Sequence, residues 1–145
     1  MILYFSGTGN SRYIAEVINS VIEDKLVSIN ECLKNNLIVS LEQQYIIVCP
    51  TYAWRIPRVV EQFIRTNHFV SGTKIYFIMT CGGDIGNAAK YINRLCNEKN
   101  MILMGVGEIV MPEYFITMYK AQENPEVNIS HGVETALLIV ADIKA

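Results

Sequence analysis

Met1-Ile2-Leu3-Tyr4-Phe5-Ser6-Gly7-Thr8-Gly9-Asn10-Ser11-Arg12-Tyr13-Ile14 begins with an apolar run and breaks off at a loop of glycines and small polar residues. The run over residues 2–5 predicts a strand. Beyond the loop, Tyr13, Ile14, Val17, Ile18 and Val21 recur at helical spacing, which predicts a helix over residues 10–22 with those five on one face. A strand, a glycine loop and an amphipathic helix in succession make a βα unit, and the same grammar continues outward from it.

A short strand follows over residues 26–29. The apolar run over residues 45–49 predicts a third strand that ends at Pro50, and a loop then reaches Pro57 and a helix carrying Val59, Val60, Phe63 and Ile64 inward. Ser71-Gly72 turns the chain into a fourth strand over residues 74–80, Cys81-Gly82-Gly83-Asp84-Ile85-Gly86 forms the next loop, and a helix spans 87–97. A strand over residues 102–110, a longer loop through Met111-Pro112, and a last helix with Val133, Ala136, Leu137, Val140 and Ala141 at helical spacing complete five βα units. Parallel crossovers are right-handed and helices must cover both faces of the sheet, so the economical architecture is one domain over residues 1–145, an α/β doubly wound three-layer αβα sandwich. In such a fold ligands lie outside the carboxyl ends of the strands.

Composition narrows the function classes. With 51% hydrophobic and 18% charged residues the chain has the make-up of a folded globular domain rather than a disordered tail. A formal net charge of −2 without runs of like charge gives no electrostatic footprint for nucleic acid or for an anionic membrane surface. The opening apolar run is too short for a signal peptide or a membrane helix and lacks a basic region before it, so a cytoplasmic protein is expected. Cys32, Cys49, Cys81 and Cys96 form no C-x-x-C pair, and His68 and His131 are isolated, so no metal site is expected and four reduced thiols are. Asn128-Ile129-Ser130 fits a glycosylation acceptor without a secretion signal.

The first loop, Ser6-Gly7-Thr8-Gly9-Asn10-Ser11, is built for an anion. Its glycines permit tight or positive-φ turns, and its hydroxyls, amide and backbone N–H groups gather at the positive end of a helix. No Gly-Lys-Ser/Thr follows, so it is not a P-loop. Arg12 stands where the dinucleotide fingerprint requires its third glycine. A phosphate other than that of ATP or NAD is the better fit, against the plainer reading that Asn10 or Ser11 simply caps the helix.

Tyr4-Phe5-Ser6-Gly7-Thr8-Gly9-Asn10-Ser11 resembles the FMN-phosphate loop of the flavodoxin family, and the likeness extends over the chain in length, in its five βα units and in the positions of the two later loops. Pro50-Thr51-Tyr52-Ala53-Trp54-Arg55-Ile56-Pro57 and Met111-Pro112-Glu113-Tyr114 are similar to patterns of flavodoxin-like domains fused to, or encoded beside, ferredoxin modules, although this chain has no ferredoxin cysteines. The resemblance implies a five-stranded parallel sheet of order 2-1-3-4-5 and FMN as cofactor. Flavodoxin, with FMN at its switch point, is itself a standard example of the ligand-position rule. It further implies that Ser6, Thr8, Gly9, Asn10 and Ser11 hold the phosphate while Gly7 and Gly9 permit close approach, with redox partner proteins of the ferredoxin type.

Tyr52 and Trp54, in the loop with Pro50, Thr51 and Ala53, offer the flavin ring an aromatic neighbour, Trp54 before Tyr52. Many flavodoxins have a Gly here whose peptide flips toward the reduced ring; between Thr51 and Pro57 this chain has none. Arg55 is placed to reach the pyrimidine edge of the flavin or a partner's carboxylate. In the third loop Cys81, Gly82, Gly83 and Gly86 allow backbone to lie against the ring's pyrimidine side. The outer Tyr usual in flavodoxins is missing there, and Tyr114 and Tyr119 are the candidates to replace it. Other classes fit less well. Cys49 and Arg55 have the C-x5-R spacing of thiol phosphatases, but Pro50 lacks an N–H and Tyr52 and Trp54 crowd the loop. A phosphoacceptor receiver needs acidic residues where Ser6 and Pro50-Thr51 stand. The remaining choice is between an electron carrier serving protein partners and an FMN-dependent NAD(P)H oxidoreductase.

Overall fold

The computed structural model describes residues 1–111 and 125–144, the side chains of 125–129 excepted. Five strands, β1 (Ile2–Tyr4), β2 (Leu26–Ser28), β3 (Gln44–Pro50), β4 (Lys74–Cys81) and β5 (Ile102–Val110), pair in parallel throughout. Their order, β2-β1-β3-β4-β5, is the expected one. Five helices connect or follow them: α1 (Asn10–Ile22), α2 (Ile29–Asn35), α3 (Arg58–Thr66), α4 (Ala88–Glu98) and α5 (Pro125–Lys144).

Each central strand feeds two cores because successive side chains point to opposite faces. Along β3, Tyr45, Ile47 and Cys49 join Val60, Phe63 and Ile64 of α3 and Ile92, Leu95 and Cys96 of α4. Ile46 and Val48 join Ile14 and Ile18 of α1 and Ala136 and Val140 of α5. Fully burying a residue such as Phe63, Phe77 or Ile47 is worth roughly 1.5–3 kcal/mol, so the two layers together fix how the strand ends, and the loops beyond them, are presented.

Three expectations need correction. Helix α2 lies between the second and third strands, where no helical period is visible in the sequence; at seven residues it is too short to display one, but Ser28 accepts the Glu31 N–H at 3.3 Å, so the Ser28-x-x-Glu31 spacing is its signal. On α1 the buried residues are Ser11, Ile14, Ala15 and Ile18, whereas Tyr13 and Val21 are exposed, because small side chains let the helix sit close to the sheet. Val59 of α3, and Leu137 and Ala141 of α5, likewise face out; Ala136 and Val140 carry the inward face of α5.

Tyr114 and Tyr119 lie outside the described residues, as does Pro112-Glu113-Tyr114 of the second quoted pattern. No helix among the described residues is long and apolar enough to cross a membrane. Nor does any group of three His, Cys, Asp or Glu among them come together as a metal site.

Candidate functional site

β1 lies between β2 and β3, so the connections leaving β1 toward α1 and β3 toward α3 diverge at the sheet's switch point. The first carries residues 5–9. Gly9 stands before α1 with φ 103°, a left-handed conformation that an L side chain resists, and no side chain caps the helix. The first turn of α1 has no acidic residue, so its N–H groups and the positive end of its dipole are directed at the loop. The loop closes on itself through the Gly9 N–H, which donates to Ser6 Oγ at 3.0 Å. Ser6, Gly7, Thr8 and Gly9 border a hollow of about 420 Å³ together with Tyr4, Arg12, Ser28, Asn30 and Glu31.

The hollow shows what the sequence reading missed. Ser28 and Asn30 reach it because β2 pairs with β1, a juxtaposition that only the strand order creates. Arg12, noted in the sequence only for displacing a glycine, brings a cation to the rim; its guanidinium pairs with Glu16 at 3.0 Å, which pushes its pKa up. Glu31 has the wrong sign for a phosphate, and its carboxylate accepts from Asn35 Nδ2 at 3.2 Å. Ser11, expected among the phosphate ligands, is 2% exposed, and its hydroxyl bonds Thr80 of β4 at 2.9 Å. Its side chain is therefore committed to the core and only its backbone can face an anion. Thr8 is exposed and Asn10 half-buried at the start of α1.

Beyond β3 the chain forms a miniature hairpin. Tyr52 N–H donates to Arg55 O at 2.9 Å and Arg55 N–H to Tyr52 O at 3.1 Å, with Ala53 and Trp54 as the two central residues. Both are left-handed, at φ 50° and 59°, as a type I′ turn requires. That turn normally takes Asn-Gly, and without a glycine each central residue costs about 1–2 kcal/mol. The missing glycine thus leaves a strained turn rather than a relaxed loop, and the Ala53 Cβ opposes flipping the central peptide to type II′, whose first central residue is Gly. The hairpin's base is anchored by Thr51, whose N–H and Oγ1 both reach Thr80 O, at 2.9 and 3.0 Å. Pro50 ends β3 half-buried.

Tyr52 and Trp54 reach different loops. A Cβ on Gly7 would stand 3.2 Å from the Tyr52 hydroxyl, so Tyr52 lies on the first loop. A Cβ on Gly86 would come within 2.5 Å of the Trp54 indole, so Trp54 lies on the third. A ring inserted between Trp54 and Gly86 needs about 7 Å, two van der Waals contacts, and the pair has no such gap. Stacking on the exposed part of Trp54, which is 58% accessible, needs no opening.

The third loop holds its own shape. Gly86 N–H donates to Asp84 Oδ1 at 2.8 Å and Ile85 N–H to Glu108 Oε2 at 3.0 Å, so those two donors are engaged within the protein. Gly82 is half-buried and Gly83 exposed. Cys81, half-buried, points its thiol to Ile109 O at 3.7 Å.

The guanidinium carbon of Arg55 sits 3.6 Å from the centroid of the Tyr91 ring on α4. Cys49 is fully buried, and burial drives its thiol far above the ordinary thiol range, so it cannot act as the exposed thiolate a phosphatase requires.

A parallel sheet wound on both sides, with an uncapped helix and a glycine cradle at its switch point and two aromatics reaching across from the neighbouring strand, defines a doubly wound α/β protein equipped for a phosphorylated, flat ligand. The family model of the flavodoxin domain matches residues 1–118, and the chain belongs to that family. Similar solved structures include the two-electron reduced flavodoxin of Megasphaera elsdenii, 15% identical with a TM-score of 0.55, covering 94% of this chain and 99% of that one. A flavoprotein from Lactobacillus acidophilus NCFM in complex with FMN is 14% identical, TM-score 0.55, covering 74% and 90%. An azoreductase from Bacillus anthracis is 11% identical, TM-score 0.60, covering 97% and 98%. At such identities these likenesses are of fold. No curated protein matches the sequence.

Proposed function

We propose that this protein is a redox flavoprotein that holds FMN at the β1–β3 switch point and passes electrons between protein partners. The observation that carries the reading is the convergence of three strand-end loops through two aromatic side chains, Tyr52 onto Gly7 and Trp54 onto Gly86, beside the uncapped start of α1.

The residues present fit the cofactor. Gly7, Thr8, Gly9 and the first N–H groups of α1 would hold the phosphate by charge-assisted bonds, with Arg12 at the rim. Trp54 would cover a face of the ring, and Gly82 and Gly83 would line its edge. When bound, FMN supplies one- and two-electron redox chemistry that no side chain can. The protein's contribution is electrostatic and steric: Asp84 and Glu108, both on or against the third loop, disfavour added negative charge there, and Trp54 limits access of water.

Titration with FMN under flavin fluorescence, then anaerobic reduction by dithionite, tests the reading. Quenching with micromolar or tighter affinity and reversible bleaching are expected; no binding at millimolar FMN refutes it. The second reading, an NAD(P)H oxidoreductase, is supported by the fold it shares with the azoreductase. Rapid bleaching by NAD(P)H alone would put it first.

A further inference from the structure

Charge is unevenly distributed along this chain. Residues 55–99 hold seven Lys and Arg against three Asp and Glu, and the remainder holds five against eleven. A protein of net charge −2 therefore carries a surplus of four positive charges on the segment that builds the α3–α4 flank.

The fold concentrates part of that surplus beside the site. Arg55 closes the hairpin that carries Trp54, Arg58 begins α3, and Lys90 and Arg94 stand one turn apart on α4; all four are exposed. Among the described residues none of the four has a carboxylate partner within ion-pair distance. The two glutamates of this flank are already engaged: Arg65 takes Glu61 at 3.1 Å and Glu98 at 2.6 Å. Arg55 is also held in place. Its guanidinium lies over Tyr91 at 3.6 Å, and Arg94 approaches the same ring at 5.9 Å. A guanidinium stacked on a ring keeps its N–H donors in its own plane, available for bidentate bonds to a carboxylate at reduced entropic cost.

We propose that the α3–α4 flank beside Trp54 is the docking surface for an acidic electron-carrier protein, whose carboxylates are taken by Arg55, Arg58, Lys90 and Arg94. This rests on the electron-transfer reading above and deepens it by naming the partner's charge. A small anion fits the same place poorly, since the roughly 270 Å³ pocket between hairpin, α3 and α4 is also lined by Glu61 and Glu98. The cations are spread over three elements, wider than one phosphate but suited to a protein's acidic patch. A partner seated there meets Arg55, the residue next to Trp54, so docking brings the two redox centres together along the hairpin.

The test uses the FMN-loaded protein and its K90E/R94E variant, neither position belonging to the cofactor site. The probes are a reduced plant-type [2Fe–2S] ferredoxin, which is acidic, and a basic c-type cytochrome. In stopped flow at about 20 mM salt the ferredoxin reaction should slow about tenfold or more in the variant, and in the wild type about tenfold when salt rises to about 500 mM. The reduction of the ferric cytochrome by the dithionite-reduced protein should speed up in the variant. In the protein loaded with oxidised FMN, oxidised ferredoxin should shift the amide resonances of Arg55, Arg58, Lys90 and Arg94 at low salt. A ferredoxin rate indifferent to salt and to the substitutions, or shifts confined to the α1–α5 side, would overturn the proposal. FMN affinity and dithionite bleaching, measured in both proteins, separate the two failures: their loss in the wild type defeats the flavin reading itself, whereas their persistence with an indifferent ferredoxin rate defeats only the docking surface.

Discussion

Replacing Gly86 with alanine puts a methyl group where Trp54 already lies. The new Cβ would be 2.5, 2.8 and 3.0 Å from Cδ1, Cγ and Cβ of Trp54, against an ordinary carbon contact of about 3.5–4.0 Å. The backbone there has φ 55°, which adds about 1–2 kcal/mol for any L side chain. Trp54 is 58% exposed and sits at a hairpin tip, so it yields by swinging away and losing the area it hides. For a side chain of ~250 Å² that area is roughly 100 Å², so at about 25 cal/mol per Å² the loss has a ceiling near 2.5 kcal/mol. Gly86→Ala should therefore destabilise the fold by about 2–4 kcal/mol in the presence of Trp54, but by only about 1–2 kcal/mol in a Trp54→Ala background. Urea unfolding of the four proteins in the cycle measures this, with FMN titrations of the same set reporting the site. Additive effects within ~0.5 kcal/mol would refute the reasoning, because they would mean that Trp54 does not rest on the third loop.

Ser11→Ala leaves the buried Thr80 hydroxyl without its partner at 2.9 Å and should lower stability by about 1–3 kcal/mol in denaturant melts, while changing FMN affinity less than Gly9→Ala does. Burial pushes the Cys96 thiol up to about 11. An acid whose pKa is higher folded than unfolded contributes nothing to pH dependence while both forms are protonated, so its effect begins above the unfolded value of about 8.5 and stability then falls as pH rises toward 11. Cys96→Ala should flatten that part of a stability-versus-pH curve, and alkylation by iodoacetamide at neutral pH should leave Cys49 and Cys96 unmodified until the protein unfolds. Ala53→Gly relieves the left-handed strain in the folded state but loosens the unfolded chain by a similar amount, so stability should move by no more than about 1 kcal/mol. The freed central peptide should instead change the spacing of the two one-electron potentials of bound FMN, which potentiometric titration reads directly.

The sequence by itself determined the βα grammar, because buried parallel strands must be continuous apolar runs and their punctuation falls on Pro50, Gly72 and the loop glycines. It determined the anion loop as well, since glycines and hydroxyls before a helix carry their chemistry locally. Helix α2 escaped, being shorter than two helical turns, although its Ser28-x-x-Glu31 cap was in view. Only the tertiary structure decided the fates of individual side chains. Ser11 looks like a loop donor until β4 brings Thr80 beneath it, and Arg55 finds the Tyr91 ring only because α4 packs beside the hairpin. The same holds for Tyr52 and Trp54, two residues apart, which part to Gly7 and Gly86 because Ala53 and Trp54 are both left-handed. The charges of α3 and α4, dispersed in the sequence, become a face only because both helices cover the same side of the sheet. Strand and loop identity depend on local composition and period, which one chain displays; the partners of a polar side chain depend on contacts between segments far apart in sequence, which only the packed fold brings together.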